Sequence, residues 1–208
     1  WLGYVWAVIP PLVAAAAFSF AVRNRVLNIG PTPISYVCYA LWGMTVWQLF
    51  TGIYTRSAMS LTGASNMISR INFPKDTLVF ASLGQPVFTF GIRLVAIAVV
   101  FGIKGVVPAW TAPLALVSLL PLVLIALGLG MVMSVVSAAG TDVSQAVGML
   151  LNFGLFLTPV IYPPPTSWPA AAVNVLNPLS PVLATSHALL HGKLVADPLL
   201  YGMSWVVA

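Results

Sequence analysis

The sequence predicts an all-α fold, a polytopic bundle of transmembrane helices. Three observations predict it. Charge is almost absent: the 208 residues hold eight Lys/Arg and three Asp/Glu, 5% in all, where a soluble domain carries roughly a quarter. The hydrophobic fraction is 60% and the mean hydropathy is +1.03, so the surface is one that lipid solvates. The apolar runs are also far too long for barrel strands. Backbone in lipid must satisfy its own hydrogen bonds, which leaves helices.

A helix crossing the roughly 30 Å hydrocarbon core needs about 20 apolar residues. Spans are expected at 2–22, 34–54, 78–103, 114–139 and 144–162, with a sixth at 198–208. Pro10-Pro11 predicts a kink in the first span. The second carries an aromatic series, the third is interrupted by Arg93, and the fourth has no charge. Asp142 and Gln145, three apart ahead of the fifth span, have capping-box spacing. Segment 163–197 is rich in proline yet half apolar. It is too broken to span and too apolar for a plain loop, so a re-entrant or interfacial pair of short helices is expected before the last span. The chain opens at Trp1 and closes at Ala208 inside apolar segments, and reads as the middle of a longer protein, a single transmembrane domain over 1–208.

Several function classes are excluded. The net charge of +5 comes from basic residues scattered at membrane borders, with no cluster to neutralise several phosphates, so no nucleic-acid partner is expected. Cys38 is the single cysteine and forms no intrachain disulfide. Counting basic residues leaves the orientation open: Arg56, Arg70 and Lys75 lie on one side, and Arg23, Arg25, Lys104 and Lys193 on the other. No Gly-x4-Gly-Lys-Ser/Thr occurs, so an ATP-driven function needs a partner chain, and a transporter that uses no ATP fits equally well. The only acids are Asp76, Asp142 and Asp197. They supply no carboxylate pair, and no catalytic residue is expected. His187 and His191 have zinc-ligand spacing without a third ligand, so no metal site is expected.

Four pieces, in this order, resemble one family: Leu2-Gly3-Tyr4-Val5-Trp6-Ala7-Val8-Ile9-Pro10; Asn66-Met67-Ile68-Ser69-Arg70-Ile71-Asn72-Phe73-Pro74-Lys75-Asp76; Thr158-Pro159-Val160-Ile161-Tyr162-Pro163; and Asn177-Pro178-Leu179-Ser180-Pro181. They resemble the type-2 export permeases of ABC transporters, in the branch that exports O-antigen or teichoic acid. The resemblance covers nearly the whole chain and rests on joint order and spacing. It implies six spans per subunit, a homodimeric permease, and two copies of a separate nucleotide-binding ATPase that holds ATP and Mg. It implies a multi-pass protein of the bacterial cytoplasmic (inner) membrane whose cargo is a lipid-linked polysaccharide. It places 56–76 in the cytoplasm as a coupling loop and 163–197 on the outer face as a gate containing Tyr162, Pro163, Asn177, Pro178, Ser180 and Pro181. The family's aromatic-basic-acidic run before the fifth span reads Gly140-Thr141-Asp142-Val143 here, and only the acid is kept. A type-2 permease for a drug or lipo-oligosaccharide and an ion-coupled secondary transporter are the alternatives.

The candidate residues follow. For coupling to the ATPase they are Arg56, Met67, Arg70, Phe73, Pro74, Lys75, Asp76 and Asp142. Apolar side chains in the loop fit a groove on a partner, Arg70 and Lys75 offer ionic contacts, and Pro74 and Asp76 suit a first helical turn. An interfacial helix lying on headgroups fits the same residues. For the substrate path, Tyr36, Tyr39, Trp47, Phe50 and Tyr54 share a sector of about 80° on the second span. Such a stripe suits sugar stacking, and it equally suits an interfacial belt. Arg93 suits an anionic pyrophosphate or sugar acid, or alternatively snorkels to the interface. Ser144, Gly148 and Asn152 form a small-polar stripe that suits helix packing, with Asn152 a further candidate for the substrate path, and Gly128, Gly130, Ser134, Ser137 and Ala138 allow close helix approach.

Overall fold

A computed structural model describes residues 2–26, 29, 32, 34–64, 76–165 and 167–208. Among them every regular element is a helix. In chain order these are α1 (Leu2–Arg23), α2 (Tyr36–Ala58), α3 (Ser60–Gly63), α4 (Asp76–Ala81), α5 (Gly84–Ile103), α6 (Ala112–Val117), α7 (Leu120–Ala139), α8 (Thr141–Leu157), α9 (Ala170–Leu176), α10 (Leu179–Leu190) and α11 (Pro198–Val207).

Three helical stretches are long and apolar enough to cross a membrane: Trp6–Arg23, Thr77–Ile103 and Ala112–Ser137. The second and third are each jointed. Between α4 and α5 the Ser82 hydroxyl folds back onto the Val79 carbonyl, 2.5 Å away, and lies 2.9 Å from the Ser57 hydroxyl of α2. Between α6 and α7 the helix restarts with Pro121 in its first turn, where a missing N–H costs nothing. Large side chains such as Phe20, Val95, Val99 and Phe153 point outward from the chain, which suits a lipid surround. The molecule is a membrane helical bundle.

α2 is its centre. It packs against α1, α5, α7, α8 and α10, and 16 of its 23 residues are buried. A helix this enclosed can carry Thr45, Gln48, Thr51 and Thr55, which is why it falls short of the apolarity of the three long stretches. Two glycines set its distances. A Cβ on Gly43 would collide with the Val160 carbonyl, and one on Gly130 of α7 would collide with the Ser57 side chain. The small-residue expectation thus holds at Gly130 and not at Gly128, where a Cβ would meet nothing.

The double proline lies inside α1, which is assigned as one helix from Leu2 to Arg23. Two expectations are corrected. The helix expected to reach Tyr162 stops at Leu157: Thr158 is extended, as a residue before proline prefers. The capping box at Asp142 is not formed. Gly140 is the N-cap, and Asp142 lies inside the first turn, where its charge still complements the helix dipole.

Segment 163–197 folds as two short helices, α9 and α10. α10 is largely buried against α6 and α2. The Trp42 indole donates to the Ser186 hydroxyl at 3.1 Å, the Ala109 amide donates to the Leu190 carbonyl at 3.0 Å, and the Thr111 hydroxyl donates to the Leu189 carbonyl. The bundle therefore has two distinct ends. One carries the close of α2 and the start of α8. The other carries the start of α2, the close of α8, and α9–α10.

Candidate functional site

A polar cavity of about 590 Å³ opens between α1, α2, α5 and α8. Its wall is built from short-period polar stripes. α2 contributes Gln48, Thr51, Gly52, Thr55 and Arg56; α5 contributes Gln85, Thr89 and Arg93; α8 contributes Gly148 and Asn152; and α1 contributes Pro10. Spacings of three and four bring each set onto one helix face. Two guanidinium groups line it, and among the described residues no carboxylate does. The Gln48 Oε1 atom is buried without a hydrogen-bond partner among the described residues.

Arg93 is held by the proline pair. Pro11 has no N–H, so the Ala7 carbonyl one turn earlier loses its helical partner. The Arg93 Nε–H donates to that carbonyl at 2.9 Å. The contact anchors the stem of the side chain while the cavity receives the head. A charge at this depth costs about 2.5–3.5 kcal/mol unless it is paired or faces water, and the orphaned carbonyl together with the polar cavity offsets that cost.

Arg93 and Asn152 of the expected path are thus brought together with Arg56. The aromatic stripe lies elsewhere. Tyr39, Trp47, Phe50 and Tyr54 are buried, none of them more than 4% exposed. Trp47 packs on Phe50, and its ring stands 3.2 Å from where a Cβ on Gly154 would be. Tyr39 stacks on His187 with ring centroids 4.0 Å apart. The hydroxyls of Tyr36 and Tyr39 donate to the carbonyls of Ile161 and Tyr162, at 2.9 and 3.2 Å. The tyrosine end of the stripe, Tyr36 and Tyr39, thus fastens α2 to the segment after α8.

The residues expected at the gate lie after α8 and at the start of α10. The Asn177 amide donates to the Thr158 hydroxyl at 2.8 Å and accepts from the Leu179 amide at 3.0 Å. Asn177 thereby joins the third and fourth motif pieces. The Tyr162 hydroxyl reaches back to the Phe156 carbonyl at 2.8 Å. Pro178 is the N-cap of α10, and Ser180 and Pro181 are buried in its first turn. Pro163 lies in the irregular stretch beyond Tyr162. His191, just past α10, is held below its ordinary pKa by burial and by Lys193. Among the described residues no three His, Cys, Asp or Glu side chains form a metal-binding group.

Met67, Arg70, Phe73, Pro74 and Lys75 lie outside the described residues. Asp76 opens α4, and Asp142 is exposed at the start of α8. The cavity residues missed by motif reading are Gln48, Thr51, Thr55, Gln85 and Thr89. Their signal was present: Gln85, Thr89 and Arg93 fall at i, i+4 and i+8, polar positions in an otherwise apolar span.

No protein-family model matches the chain. Among curated proteins, it is 23% identical to the O-antigen export system permease protein RfbA of Klebsiella pneumoniae, over 93% of this chain and 74% of that protein. It is likewise 23% identical to the O-antigen export system permease protein RfbA of Myxococcus xanthus, over 96% of this chain and 77% of that protein. The chain is similar to polysaccharide-export permeases along nearly its whole length. This is the likeness the four motif pieces carry. In these terms the cavity sits where three helices of a permease-like bundle present their polar faces, and Asn177 unites two of the four pieces.

Proposed function

We propose that this chain is the permease subunit of an ATP-driven exporter that moves a lipid-linked polysaccharide, of O-antigen or teichoic-acid type, across the cytoplasmic membrane of a bacterium. Two copies would form the membrane path, and two copies of a nucleotide-binding ATPase subunit would supply ATP and Mg chemistry. The chain itself would catalyse nothing. The single observation that carries the reading is the cavity with Arg56, Arg93 and a wall of amides and hydroxyls, lined by no acid among the described residues. An anionic, hydroxyl-rich cargo suits that wall, because guanidinium groups pair with phosphate oxygens while Gln, Asn and Thr exchange hydrogen bonds with sugar hydroxyls.

On this reading α1, α2, α4–α5, α6–α7, α8 and α11 are the six crossings, with α9–α10 re-entrant as the outer gate. The segment from Arg56 to Asp76, with Arg70 and Lys75, receives the ATPase motion on the cytoplasmic side, beside Asp142. Cargo passes on the polar face of α2 rather than on its aromatic face. An ion-coupled transporter is disfavoured because its site would want a buried acid, and among the described residues the cavity wall holds none.

The test is co-purification of the full-length chain with the ATPase encoded beside it, then ATP hydrolysis in lipid with and without a lipid-linked glycan. A two-plus-two complex stimulated by glycan is the expected result. A complex indifferent to glycan would keep export and remove the sugar. The absence of any ATPase partner would overturn the reading.

A further inference from the structure

At the opposite end of the bundle from Arg56, a second cavity of about 370 Å³ lies between the proline-rich loop after α8, the end of α9, and the starts of α10 and α11. Its mouth is formed by exposed Pro164, Ala196 and Asp197, and its floor by buried Ser180 and Pro181. Ser180 is 1% exposed. Its Oγ and the Oδ1 of Asn174 are buried without hydrogen-bond partners among the described residues, and both residues line the cavity. Polar atoms left unpaired in a dry site are costly, so the site suits a polar occupant. Asp197 caps α11 with one carboxylate oxygen, which accepts from the Leu200 amide at 3.3 Å.

The electrostatics choose the class of occupant. The amino ends of α10 and α11 both meet this cavity, and each brings roughly half a positive charge. Asp197 brings one negative charge. The sum is close to zero, so neither a phosphate nor a metal cation is favoured. The polar atoms are a carboxylate and an amide oxygen, which accept, and a hydroxyl, which both donates and accepts, so they suit a group that itself donates and accepts, as a sugar hydroxyl does. The remaining wall is proline, alanine and Leu200, an apolar surface of the kind the C–H face of a pyranose covers. The volume lies at the low end of the range for small-ligand pockets, roughly 300–1,000 Å³.

We propose that this cavity is a binding subsite for one neutral sugar ring of the exported polymer, held at the outer gate by Asn174, Ser180 and Asp197. The proposal rests on the polysaccharide reading above, and it concerns a site separate from the Arg93 cavity.

The test uses the full-length chain with its ATPase in lipid nanodiscs. The probe is the repeat-unit oligosaccharide released by mild acid from the cell's own surface polymer. Saturation-transfer NMR reads its binding, and glycan-stimulated ATP hydrolysis is measured in parallel. The wild-type complex is expected to transfer saturation to one ring of the probe. Asp197→Asn keeps an oxygen to cap α11 and is expected to weaken binding about fivefold, because a charge-assisted bond becomes a neutral one. Ser180→Ala and Asn174→Ala should do the same. Should a floor variant fail to fold, Ala196→Phe closes the mouth from an exposed loop position and is expected to abolish the signal. Probe binding that survives Asp197→Asn and Ala196→Phe would overturn the proposal, as would no binding to a wild-type complex that glycan still stimulates. Loss of both binding and stimulation in the wild type would overturn the export reading with it.

Discussion

Arg93 shows how a residue that looks isolated in sequence acquires a partner through a backbone defect 82 positions away, at Pro11. Removing the guanidinium should cost stability twice, through the lost contact at Ala7 and through the unpaired carbonyl left behind. We expect Arg93→Ala to destabilise the purified chain by about 1–3 kcal/mol. In a Pro11→Ala background the restored N–H can pair with Ala7 again, so the cost of Arg93→Ala should fall by about 1 kcal/mol. A double-mutant cycle of unfolding in micelles measures that coupling, and strict additivity would contradict the account. Gly43 makes a second residue-scale case. Gly43→Ala should lower the unfolding midpoint markedly, because α2 and the Val160 carbonyl have no room to part. The proline pair was legible in the sequence, but its consequence was not. Proline reads as a helix defect, and here a side chain from another span takes up the carbonyl that Pro11 leaves without its helical partner. The aromatic stripe on α2 was also legible as a shared face. A helical wheel shows which residues lie together and does not show what covers them. On an enclosed helix the aromatic side packs into the core and the threonine–glutamine side is left for the cavity.

At the scale of elements, spacing was the better guide. Gln85, Thr89 and Arg93 form one stripe, Gly148 and Asn152 form another, and the three-dimensional cavity is where these stripes and the polar edge of α2 converge. The helix boundaries were less legible. Apolar runs continue through Leu83, Leu119 and Val160 without a break in hydropathy, so the joints between α4 and α5 and between α6 and α7, and the end of α8, depend on serine hydroxyls, a proline restart and an extended Thr158. Helix contacts give a paired prediction. Gly130→Ala should destabilise the α2–α7 packing by about 1–3 kcal/mol, while Gly128→Ala, two positions away with open space around it, should be neutral or slightly stabilising through helix propensity. Equal effects at the two positions would contradict the geometry.

Across the whole molecule, the bundle has two ends. Arg56 and Asp142 mark one end, and the joined motif pieces around Asn177 mark the other. The cavity lies between α2, α5 and α8, so on the proposed reading a rearrangement driven at the Arg56–Asp76 segment would change the cavity. Reversing the charge at Arg70 and Lys75 together should therefore reduce recovery of the ATPase with the chain at least fivefold while the chain still inserts in the membrane. Full recovery together with normal transport would leave that segment as a headgroup-lying helix.

The most direct test of the polar cavity as the cargo path is surface-polymer export in cells whose full-length chain carries Thr89→Trp. Thr89 lies on the cavity wall one turn from Arg93, and an indole there fills the space without removing either guanidinium. The account predicts that the complex assembles at the wild-type level and that polymer no longer reaches the cell surface. Normal export through a chain so blocked would show that the polymer takes another route.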